Sequence, residues 1–162
     1  MEDWWLRPTC WTEVLKKMPV PCVDVIVHSK GSVLMGWRSI PPYRNVWALI
    51  GGRIHFGETF EETAIRNCLN SSLHVSNLSS LGVFPVRFQT RHDITMCIAA
   101  ELQSGVPKPT PEMARYRWFR KNEIGRIRPI GGNYKRMLQH WRSHNPASLN
   151  TPHKYAQTIS GS

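Results

Sequence analysis

The chain has 162 residues, 41% hydrophobic and 20% charged, which suits one domain with its own core and excludes a long repeat array or two full-size domains. Its 21 Lys and Arg against 11 Asp and Glu give a net charge of +10, which favours phosphate-bearing partners without choosing between nucleotide, nucleic acid and acidic surface. No apolar stretch approaches the roughly 20 residues of a membrane span, and the opening Met1-Glu2-Asp3-Trp4-Trp5 is acidic then aromatic, so no signal peptide is read and a cytoplasmic protein without a membrane role is expected.

In chain order, residues 1–18 form an N-terminal arm with an amphipathic helix predicted around Trp11 to Met18, broken by Pro19 and Pro21. Trp4, Trp5 and Trp11 could clamp a partner or the second copy of a homodimer, or pack on the domain's own surface. The domain proper spans 19–144. Cys22 to Val27 reads as a buried strand, Ser29 to Ser32 as a turn and Val33 to Arg38 as the hairpin partner. Val46 to Ile50 is a further extended stretch, with a tight turn expected at Gly51-Gly52. From Thr59 to Leu69 the apolar Phe60, Ala64, Ile65, Cys68 and Leu69 recur at helical spacing, and Thr59-x-x-Glu62 forms a capping box. Strands are predicted over Leu81 to Phe88, Ile94 to Leu102 and Ala114 to Phe119, a short turn or helix from Lys121, and a last helix from Gly132 to His144. Residues 145–162, rich in Ser, Thr, Asn and Pro, are expected to be a mobile tail.

The charge is not evenly spread. Between Arg115 and Arg142 nine basic residues face only Glu123, interleaved with Tyr116, Trp118, Phe119, Tyr134 and Trp141. Single-stranded nucleic acid or a nucleotide could use such a segment, as could a solvated helix face beside core aromatics. Cys10, Cys22, Cys68 and Cys97 stand far apart without a C-x-x-C pair, so reduced and mostly buried thiols are expected.

The hairpin, Gly-Gly turn, capped helix and downstream Arg117-Trp118-Phe119 resemble the Nudix hydrolase family over roughly residues 19–144. The family box, G-x5-E-x7-R-E-U-x-E-E-x-G-U, is matched in its first half by Gly52, Glu58 and Arg66. The resemblance implies an α/β fold, an α/β/α sandwich around a mixed β-sheet, with Mg²⁺ held by the box carboxylates. Those positions carry Asn67, Asn70 and Ser71 here, and neutral oxygens do not hold Mg²⁺ well. Within the family, Pro19 to Val27, Gly36-Trp37-Arg38, Gly51-Gly52-Arg53 and Tyr116-Arg117-Trp118 look like GDP-mannose mannosyl hydrolases. Matched backwards from Tyr116, the catalytic His of those enzymes falls on Met113, a metal-binding Gln on Glu112 and their remaining box Glu on Ser71.

By this resemblance Arg38, Gly52 and Arg53 are the substrate-binding candidates, the arginines holding a diphosphate. Glu58 and Arg66 are expected to pair and brace the box loop. Glu61 and Glu62 are candidate ligands for a displaced metal, or simple helix-capping acids. Glu112 and His55 are the candidate catalytic groups, either of which could be an exposed loop residue instead. Asp24 lies in an apolar strand and is expected to brace an arginine. His28, His74 and His92 share no metal-ligand spacing. The first reading is a hydrolase of a nucleoside-diphosphate-linked compound, most similar to the nucleotide-sugar branch, with a weakened or rebuilt Mg²⁺ site. The second is a catalytically silent domain that binds a nucleotide or nucleotide sugar. The third is RNA binding through the basic C-terminal segment.

Overall fold

The computed structural model describes residues 7–88 and 91–144, Pro8 by its backbone alone. Trp4, Trp5 and the expected tail lie outside them. The first helix, α1, is Pro8–Lys17; a proline opens it where no backbone donor is needed, and Lys16 and Lys17 sit at its negative end. Strands β1 (Val20–Ser29) and β2 (Ser32–Arg38) form a hairpin whose two loop residues, Lys30 and Gly31, have φ of 46° and 75°, the left-handed pair that matches strand twist. Next come β3 (Val46–Ala48), β4 (Ile50–Arg53), helix α2 (Phe60–Asn70), β5 (Leu73–Arg87), β6 (His92–Gly105), β7 (Met113–Arg120), a single 3-10 turn at Ile124–Arg126 and helix α3 (Tyr134–Ser143).

All seven strands join one sheet in the order β3-β2-β1-β6-β5, with β4 also paired to β1 and β7 to β2. The β1–β6 pairing is parallel and the others are antiparallel, so the sheet is mixed. Alternation along the strands builds two apolar layers. Val23, Val25, Val27, Leu34 and Ile50 pack with Ala64 and Cys68 of α2. Ile26, Met35, Trp47 and Ala99 pack with Met137, Leu138 and Trp141 of α3. The two helices therefore cover different layers, and the α/β/α sandwich expected from the sequence is the observed fold. Among the described residues no helix is long and apolar enough to cross a membrane. Cys22, Cys68 and Cys97 are buried, Cys10 is exposed, and all four are free thiols.

Three local expectations need correction. Gly51 and Gly52 make no turn; they lie inside β4, opposite Asp24 and Val23. Their lack of side chains serves close approach instead, because a Cβ on Gly51 would meet Asp24 Oδ1 at 2.1 Å and the Val23 carbonyl at 2.6 Å. Periodicity located α2 but not its buried face, which is Thr63, Ala64, Asn67 and Cys68, while Phe60, Ile65 and Leu69 are exposed. Strand β5 starts at Leu73 rather than Leu81, through a polar stretch whose register against β6 shifts at three places.

Gly51→Ala should therefore lower stability by about 1–3 kcal/mol, the cost of forcing β4 away from β1. Thermal unfolding should give a melting point several degrees below that of the parent; an unchanged value would refute the close-packing account.

Candidate functional site

Arg66 ties the box loop to α2. Its guanidinium donates to Glu58 from Nε (2.6 Å) and Nη2 (2.7 Å), to the Arg53 carbonyl from Nη2 (2.9 Å) and to Asn67 Oδ1 from Nη1 (3.2 Å). Glu58 also accepts from the His55 backbone N–H and the Thr63 hydroxyl, each at 2.9 Å. The expected Glu58–Arg66 pair is thus formed. Hydrogen bonding from Arg66 is the main cause that holds the Glu58 carboxyl down at about 2, against the opposing effect of burial. The α2 capping box is complete, with Glu62 N–H on Thr59 Oγ1 at 3.1 Å and Thr59 N–H on Glu62 Oε2 at 2.8 Å. Glu62 is thereby engaged in capping, and Glu61 is exposed in the first turn.

Two clefts meet at Gly51 and Glu112. The wider, about 640 Å³, is lined by Asn67, Asn70 and Ser71 of the box, by Thr110 and by Glu112. This is a volume in the range of ligand sites. Asn67 and Ser71 are buried. Arg66 is a pure donor, so the Asn67 oxygen must face it and the amide nitrogen points away; that nitrogen has no hydrogen-bond partner among the described residues. The Ser71 hydroxyl is 2.9 Å from the Tyr116 hydroxyl. A buried, unmet N–H donor and neutral hydroxyls suit an acceptor atom and do not fit Mg²⁺, which needs clustered carboxylate oxygens. Among the described residues no group of three His, Cys, Asp or Glu could hold a metal ion.

The second cleft is narrow, about 80 Å³, and lies on the α3 side of β1, β4 and β6. Its walls include Asp24, Arg38, Gly52, Tyr43, Arg91 and Asp93. Arg91 grips Asp93 with two hydrogen bonds, the longer at 2.6 Å. Arg38 pairs with Glu112 and donates to the Ile40 and Pro41 carbonyls, each at 3.1 Å. Asp24 does not brace an arginine as expected: its carboxyl accepts no hydrogen bond among the described residues, and Arg91 is taken by Asp93. Burial pushes the Asp24 carboxyl up to about 7, with Arg38 opposing and Asp93 adding to the rise.

Arg53 lines neither cleft. Its register opposite Cys22 puts it on the α3 side of the sheet, where the guanidinium lies 4.2 Å from the Trp11 ring. Trp11 therefore packs on the domain's own surface. Burial first, then the neighbouring Arg91 charge, lower the Arg53 pKa. His55 lies in the box loop with Nδ1 3.6 Å from Glu58 Oε1, and burial followed by Arg66 lowers its pKa. Glu112 lines both of these clefts and His55 lines neither. The cluster that sequence reasoning missed is Arg91 with Asp93; both are separated by about 70 residues from Cys22 and Asp24, and only the parallel β1–β6 pairing joins them.

A model of the NUDIX domain matches residues 18–141. The chain belongs to the Nudix family. An NAD-capped RNA hydrolase NudC from Pectobacterium carotovorum is 26% identical over 122 residues, 74% of this chain and 45% of that protein. The chain thus spans about half the length of the NudC relatives it matches. An ADP-ribose pyrophosphatase from Methanocaldococcus jannaschii is 26% identical over 112 residues, 67% of this chain and 66% of the relative. Among solved structures, a MutT NUDIX hydrolase from Burkholderia pseudomallei superposes with a TM-score of 0.69 at 18% identity, covering 76% of this chain and 98% of that one. The NUDIX domain of Shewanella oneidensis NrtR, solved with ADP ribose, gives 0.67 at 19%, covering 85% and 92%.

Because the folded Glu58 carboxyl stays ionised down to about 2 and the free side chain titrates near 4.5, its stabilisation is present above 4.5 and is lost as pH falls from there towards 2. Glu58→Gln should flatten that acid limb of the stability curve. Denaturant titrations between pH 2 and 6 read it directly, and identical limbs for the two proteins would contradict the brace.

Proposed function

We propose that this Nudix domain binds a nucleoside diphosphate derivative through its arginines, and that the binding does not depend on a divalent cation. One contrast carries the reading: Arg38, Arg53 and Arg91 gather around the Gly51-Gly52 strand, whereas the box positions Asn67, Asn70 and Ser71 bear no charge. Arg53 and Arg91 repel one another, and the negative charge of a diphosphate beside them offsets that repulsion. The narrow cleft beyond, with Tyr43, Tyr134 and Asp24, takes the attached ring once it widens. The bound ADP ribose of the NrtR domain and the ADP-ribose pyrophosphatase relative support ADP-ribose as the first ligand to try; GDP-mannose, suggested by the Pro19 to Val27 and Tyr116-Arg117-Trp118 resemblance, is the second.

Hydrolysis of the same compound is a second reading, favoured by Glu112, an acid that faces Asn67, Asn70 and Ser71 across one cleft. His55, Glu61 and Glu62 would then be the remaining candidates for a rebuilt site.

Calorimetric titration with ADP-ribose in chelator tests the proposal. Arg53→Ala should weaken binding roughly tenfold to a hundredfold, the loss of about 1.5–3 kcal/mol from one charge-assisted contact. Arg142→Ala, outside the site, should leave it unchanged. Equal losses would point to diffuse electrostatics and overturn the site.

A pH series adds an independent check, because the bridged diphosphate of ADP-ribose has no second ionisation near neutrality. Asp24 is faced by Arg38, Arg91, Asp93, Tyr43 and Tyr134, and its pKa near 7 makes it the acid of the cleft that changes charge there. Neutralising it removes a repulsion, so affinity should rise as pH drops from 8.5 to 6. Asp24→Asn should abolish the trend, and a trend that persists in the variant would assign it elsewhere.

A further inference from the structure

A third cleft, about 230 Å³, is lined by Trp47, Arg117, Phe119, Glu123, Arg126, Ile127 and Arg128. It shares no lining residue with the two clefts that meet at Gly51. Strand β7 supplies one wall and pairs only with β2, so it is a sheet edge. Arg115 and Arg117 project from the same face of β7 as Phe119, at alternate positions. The Arg115 guanidinium lies 4.7 Å from the Trp37 ring and 5.8 Å from Trp47, and that of Arg117 lies 4.6 Å from Phe119. Arg115, Arg117, Arg126 and Arg128 are exposed, and Glu123 is the one acid in the lining. Glu123 holds Arg117 at only 3.4 Å and spends its other oxygen on the Arg120 backbone N–H.

We propose that this face binds a single-stranded nucleic acid, with phosphates on Arg115, Arg117, Arg126 and Arg128 and a base stacked on the Arg–Trp37 layer. Guanidiniums held over aromatic rings present charge beside a stacking surface, the pairing that single strands use. A cleft of this size admits one base at a time and no duplex. An acidic peptide would satisfy the charges but leave the exposed guanidinium planes without a stacked partner, and a membrane surface would require exposed aliphatic groups that the lining lacks. Four of the segment's nine basic residues, set against a single acid, thereby have a place in the fold: a site apart from the diphosphate arginines.

The test is fluorescence anisotropy of a labelled twelve-nucleotide oligouridine, titrated with protein at several salt concentrations. Each phosphate contact to a single strand contributes about 0.7 to the slope of log K against log salt. Changing Arg115, Arg117, Arg126 and Arg128 together to Gln should reduce that slope by about 3 and the affinity at low salt at least tenfold. The same variant should melt like the parent and bind ADP-ribose as the parent does, whatever that affinity is, which separates this claim from the proposed diphosphate site. Three outcomes would overturn it: no oligouridine binding by the parent, undiminished binding by the variant, or polyglutamate competing as well as unlabelled oligouridine.

Discussion

The guanidinium of Arg66 ties together the box loop at Glu58, the end of β4 at the Arg53 carbonyl and its own helix at Asn67. Five donors in a rigid plane allow one side chain to do this. Because Glu58 also accepts from His55 and Thr63, the loop is stapled to the start of α2, and the complete capping box fixes where that helix begins. The same guanidinium dictates that the Asn67 oxygen faces inward, which leaves its amide nitrogen as an unmet donor. The frame of the box is intact, while the three positions behind it carry Asn67, Asn70 and Ser71.

The two halves of the site have different physical requirements. The brace depends on one carboxylate and one guanidinium, both present. Cation binding depends on several carboxylates on one helix face, and none of the three positions retains one. Positive charge around Gly51-Gly52 needs only arginines on or beside neighbouring strands: Arg38 ends β2, Arg53 ends β4 and Arg91 immediately precedes β6. A fold of this kind can therefore keep attraction for a diphosphate after losing the means to hold magnesium, because the two properties reside on different elements.

Much of the fold was legible because its signals are local. Thr59-x-x-Glu62, the Lys30-Gly31 hairpin turn and the i, i+3, i+4, i+7 apolar positions of α3 each need only a few residues to be read. The buried face of α2 was not legible, since Thr63 and Asn67 are buried by hydrogen bonds to Glu58 and Arg66 rather than by hydrophobicity. Nor was the first half of β5: His74, Ser76, Ser79 and Ser80 lack strand-forming character, and their ladder with β6 makes them extended. Gly51-Gly52 read as a turn because glycine usually marks one; here the pair lets β4 lie against Asp24 on one side and Asn67 on the other. The Arg91–Asp93 pair in the narrow cleft could be found only through the parallel contact of β1 with β6, a long-range pairing that no local pattern announces.

The central claim is that diphosphate attraction has outlived the cation site. Phosphorus NMR of the protein with ADP-ribose, recorded first in chelator and then after adding millimolar Mg²⁺, tests it most directly. Ligand resonances that broaden or shift equally in both conditions, with the diphosphate intact after hours, are the predicted result. Conversion to two monophosphates on adding Mg²⁺, or binding that appears only with the metal, would contradict it.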